Sequence, residues 1–122
     1  KMSSTLSFES DDFLIANAHE VLLETKKVAA STTQDLKRGT LLANDGDGTY
    51  SIATSSTIGD AEVILAKDIA QVASSTDIYA PVYVQGCFIP EKLLTGSSTA
   101  ITTAAEENLK KNNINLIHGV EV

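Results

Sequence analysis

Apolar and polar residues along this chain fall into several short β-type runs and only one run with helical spacing, a pattern that predicts a mostly β protein. The clearest β runs are residues 61–67 and 80–89. The first, Ala61-Glu62-Val63-Ile64-Leu65-Ala66-Lys67, has an unbroken apolar centre, which predicts a strand covered on both faces. In the second, Val82, Val84 and Phe88 are predicted to point one way and Tyr83, Gln85, Cys87 and Ile89 the other. Pro81 near its start implies an edge or a strand end, and Gly86 implies a bulge or a close backbone contact.

Residues 39–43 read as a short strand that turns over at Asn44-Asp45-Gly46-Asp47-Gly48 into a second strand at residues 49–53. Asn, Asp and Gly tolerate the positive φ values of a tight turn, so this is a hairpin. Leu93 and Leu94 lead through a Gly96-Ser97-Ser98 turn to the single helix. There Thr103 and Glu106 have the form of a capping box, and Ile101, Ala105 and Leu109 share one face. Asn112 and Asn113 end it, and residues 114–122 read as a last strand.

Residues 12–31 fit two patterns. Asn17 followed by Glu20 has the form of a capping box opening a helix, while residues 19–29 fit a strand with Val21, Leu23, Thr25 and Lys27 on one side. Residues 1–12 are polar apart from the isolated Leu6 and Phe8, without useful periodicity, and read as a flexible arm. The predicted fold is therefore α+β and mostly β: a small antiparallel β domain with one short C-terminal helix and a flexible N-terminal arm. Residues 1–30 form the arm with a possible strand, and residues 31–122 form the β-rich core.

Composition narrows the functions open to such a fold. The 122 residues suit one domain. An apolar fraction of 43 % is too high for wholesale disorder. With three Tyr, three Phe and no Trp, neither a base-stacking platform nor an aromatic cage is expected. The net charge is −7, and residues 39–122 carry four Lys/Arg against ten Asp/Glu. That imbalance disfavours nucleic acid and anionic membranes, both of which need clustered cations. No run approaches the roughly 20 apolar residues of a membrane span, and the start Lys1-Met2-Ser3-Ser4 has no signal-peptide stretch, so synthesis in the cytoplasm is expected.

Candidate chemistry is thin. Cys87 is the sole cysteine, and His19 and His118 are the only histidines, so no disulfide and no zinc-type cluster is expected. No serine lies in a nucleophile elbow, Cys87 lacks a local catalytic signature, and no glycine-rich phosphate loop occurs. Asn44-Asp45-Gly46-Asp47-Gly48 looks like the start of a calcium loop but has no Glu at the bidentate position. Lys67 stands between Ala66 and Asp68, which do not match the neighbours of a biotinyl or lipoyl lysine. The chain is read as a binding module rather than an enzyme, with no cofactor and no metal.

The order of these motifs resembles the head decoration proteins of tailed bacteriophages, the lambda D-like capsid-stabilising family. The pieces that carry the likeness are Arg38-Gly39-Thr40-Leu41-Leu42 before a hairpin, Ala61-Glu62-Val63-Ile64-Leu65-Ala66-Lys67-Asp68, and Val82-Tyr83-Val84-Gln85-Gly86-Cys87-Phe88. Leu93-Leu94, the helix through Leu109 and Asn113-Ile114 follow in order. The likeness covers about two-thirds of the chain; Glu62 departs from a commonly small residue, and the region before Gly39 is not closely matched. It favours the strand reading of residues 12–31. It implies a noncatalytic homotrimer that binds the major capsid protein on the outer surface of the virion, with the N-terminal arm ordering on the capsid, often by adding a strand. The capsid-contact candidates are then Leu6, Phe8, Phe13, Leu14 and Ile15. An alternative from the recognition class is a head-fibre or adhesin base domain that binds a host surface ligand.

Overall fold

The structure is a computed structural model that describes residues 15–118. Six strands and one α-helix follow in the order β1 (Ile15–Ala29), β2 (Leu41–Asn44), β3 (Thr49–Ile52), β4 (Ala61–Leu65), β5 (Asp77–Phe88), α1 (Thr103–Lys111) and β6 (Ile114–Leu116). The sheet order is β1-β3-β2-β4-β5-β6, and β1 also pairs with β5, so the first five strands close into a barrel and β6 is appended to β5. Four of the six pairings are antiparallel; β1–β3 and β5–β6 are parallel. The mostly β, α+β fold class read from the sequence is the one observed. Residues 15–29 resolve the two-way reading in favour of strand.

Two apolar clusters lie on opposite faces of this sheet. One fills the barrel with side chains from each of its five strands: Val28, Leu42, Tyr50, Val63 and Leu65, and Ala80 and Val82. Leu36 and Ile69 close one end of it, their backbones exchanging hydrogen bonds of 2.8 and 2.7 Å. The other cluster lies outside the barrel wall, where Ala105 and Leu109 of α1 and Ile114 of β6 cover Leu41, Ala61, Ile64, Tyr83 and Phe88. Strand β4 contributes to both clusters, as its unbroken apolar centre predicts. Its Glu62 is the extra residue where Leu42 pairs with Val63 but Ala43 pairs with Ala61.

The alternation predicted for β5 is half right. Val82 and Val84 belong to the barrel interior, but Phe88 joins Tyr83 on the outer face, with ring centroids 5.1 Å apart. The cause is a break in register. Gln85 pairs with Leu22 while Tyr83 pairs with Leu23, which leaves Val84 as an unmatched residue and reverses the parity beyond it. Gly86 lies just past this irregularity with φ +150°. A Cβ there would stand 2.9 Å from the Phe88 ring and 3.3 Å from Val21, so it marks both a bulge and a close approach. Gly86→Ala is expected to lower stability by about 1–3 kcal/mol, read from the urea midpoint. Gly59→Ala, where a Cβ meets open space, is expected to stay within about 0.5 kcal/mol. Equal midpoints for the two variants would refute this account of Gly86.

Pro81 is not at a strand end; it lies inside β5 opposite Thr25. Its carbonyl accepts from Ala66 N at 3.0 Å, just past the end of β4. The N–H and C=O of a strand residue face the same side, so its missing donor falls where the β4 ladder has stopped, a local edge.

The hairpin forms as predicted, with Asn44 paired to Tyr50. Gly46 and Gly48 take φ of +99° and +93°, and the side-chain oxygens of Asn44 and Asp47 accept from the backbone N–H groups of Gly46 and Thr49. The helix cap falls one residue earlier than predicted. Thr102, not Thr103, is the N-cap, and its hydroxyl accepts from Ala105 N at 3.1 Å. Glu106 therefore lies beyond the capping-box position and instead meets His118. Asn112 caps the C-terminus and Asn113 takes φ +72°, as the paired asparagines imply. The last strand is shorter than expected, ending at Leu116.

Candidate binding surface

Strand β1, at 15 residues the longest among the described residues, is used unevenly. On one side it pairs with β5 continuously from Leu22, opposite Gln85, to Ala29, opposite Asp77, and again at Asn17 and Ile15, opposite Cys87 and Phe88, with breaks in register between these stretches. On the other side it pairs with β3 only at Lys27 and Val28. No described strand pairs with the second edge of residues 15–26. A strand edge of that kind presents a row of backbone donors and acceptors to any extended chain that reaches it.

The side chains along this edge are unusual for a solvent-facing strand. Leu22 is 53 % exposed and Leu23 is 52 % exposed. Consecutive strand residues point to opposite faces, so the ribbon carries an uncovered leucine on each side at this point. Val21, next in line, is half-buried and packs on the outer-face cluster beside Gly86. Towards the other end the surface turns polar: Lys26 pairs with Glu24 at 3.2 Å, and Tyr79, opposite Lys27, is 74 % exposed.

Among the capsid-contact candidates, Ile15 is the one within the described residues. It is half-buried, pairs with Phe88 and packs on the outer-face cluster. Leu6, Phe8, Phe13 and Leu14 lie outside the described residues, as does the rest of the predicted arm before Ile15. The adjacent leucines of β1 were not singled out from the sequence. Their signal was the Leu22-Leu23 step itself, since two apolar residues in succession cannot both lie on the buried face of a strand.

Potential chemistry elsewhere is sparse. Among the described residues no group of three His, Cys, Asp or Glu is placed to hold a metal ion, and no helix is long and apolar enough to cross a membrane. His118 Nε2 lies 2.8 Å from Glu106 Oε2, tying the chain after β6 to α1. Cys87 is half-buried beside these groups, lining a groove between α1 and β6. Lys67 lies two residues past the end of β4, with its neighbour Asp68 accepting from Arg38 N at 2.8 Å. Arg38 in turn donates from Nε to the Tyr83 hydroxyl at 2.9 Å and lies over the Tyr83 ring, fixing the start of β2 to β5.

The surroundings of Tyr50 perturb its hydroxyl. Tyr50 is buried in the barrel, and its hydroxyl donates to Glu62 Oε1 at 3.2 Å. Burial first, and then the Glu62 and Glu24 carboxylates, raise its pKa above the ordinary tyrosine value, because each disfavours the phenolate. A raised folded-state pKa means that the protonated hydroxyl is favoured by folding. That contribution is complete below the unfolded pKa near 10 and is lost as pH rises through the higher folded value. Stability is therefore expected to fall as pH rises above about 10 in urea titrations, and less steeply in Tyr50→Phe. An identical pH slope in the two proteins would contradict the assignment.

No protein-family model matches this chain, and no curated protein matches it either.

Proposed function

We propose that this chain is a structural protein that binds the outer surface of a tailed-phage capsid as a trimer and stabilises the expanded head. The motif order between Arg38 and Ile114 supports the family assignment. The single observation that carries the mechanism is the edge of β1 that no described strand pairs, with Leu22 and Leu23 exposed on its two faces. The partner is the major capsid protein, engaged by strand addition: main-chain hydrogen bonds supply the affinity, and the flanking apolar side chains fix the register. Residues 1–14 enter β1 at Ile15, so a contact begun on the arm continues onto this edge without a break in the chain.

Such a role needs no catalytic group. It needs a rigid body that resists outward strain and a surface that finds its partner only on the expanded shell. The barrel supplies the first, with apolar side chains packed on both faces of its wall. The test is cosedimentation with expanded, undecorated heads of the cognate phage, read as protein copies per head alongside the mass of the free chain in solution. Saturable binding in multiples of three, with heads that then withstand chelator or heat treatment, is expected. Failure to bind these heads, with a stable monomer at all concentrations, would remove the proposal.

A further inference from the structure

We draw no further inference here: the strongest candidate, the groove of about 420 Å³ between α1 and β6 lined by Cys87, Glu106, Glu107, Lys110 and Ile117, carries nothing because no feature of the structure shows what would fill it.

Discussion

Phe88→Ala is expected to cost about 3–5 kcal/mol of folding stability, the range for removing a fully buried aromatic ring. Phe88 is 0 % exposed and serves three neighbours at once. Its ring meets Tyr83 at 5.1 Å with a 54° tilt, the offset geometry that aromatic pairs prefer. Its backbone pairs with Ile15 on one side and Leu116 on the other. Its ring also occupies the space that a side chain at position 86 would need. A cavity here cannot collapse easily, because β1, β5 and β6 all meet at this residue and none can shift without unzipping a ladder. Against a total stability of about 5–15 kcal/mol, the loss should lower the melting temperature by roughly 10–20 °C. A change under about 1 kcal/mol in urea unfolding would mean that the outer-face cluster is not a cooperative part of the core.

The second large effect concerns binding rather than folding. Leu22→Lys combined with Leu23→Lys is expected to weaken attachment to expanded heads by at least tenfold. Each leucine has about half its surface still to bury, worth about 1 kcal/mol, and lysine on an open edge opposes strand addition directly. Since both residues are more than half exposed in the free protein, the unfolding midpoint should move little. Deleting residues 2–12 separates the contributions, because it removes Leu6 and Phe8 but leaves the edge intact. If the double lysine variant binds as tightly as the parent, the edge has no part in docking. If the deletion alone abolishes binding, the contact lies on the arm.

The legible parts of this fold were those where local pattern and tertiary role coincide. Val63, Ile64 and Leu65 are apolar in succession because β4 divides the two clusters, and the Asn-Asp-Gly run turns because its own side chains satisfy the turn. What escaped the sequence were effects of register. Nothing local to Val84 says that it will stand unmatched opposite β1, yet that one residue moves Phe88 from the barrel interior to the outer face. Pro81 fitted either an edge or a strand end because a proline lacks a donor, and the choice fell to the edge because β4 stops at Leu65 and leaves that donor unneeded. The helix cap missed by one residue because Thr102 and Thr103 are adjacent and equally suited to the role. The exposed leucines of β1 were hidden for a different reason. Whether an apolar residue on a strand is covered depends on where the neighbouring strands end, and β3 reaches only Lys27 and Val28.

The closure of the barrel through β1 and β5 also sets when the fold can form. The last residue of β1 is Ala29 and its partner strand begins at Asp77, so the seam joins segments that leave the ribosome far apart. At about 5–20 residues per second, β1 waits roughly 2–10 s for the start of β5. The β2–β3 hairpin and its pairing with β4 can assemble in that interval, whereas the seam must pay a large loop-closure entropy. Barrel closure is therefore the late event of folding. Until then the β5-facing edge of β1 is open, and crowded synthesis of many copies is the moment at which this chain is most exposed to wrong pairing.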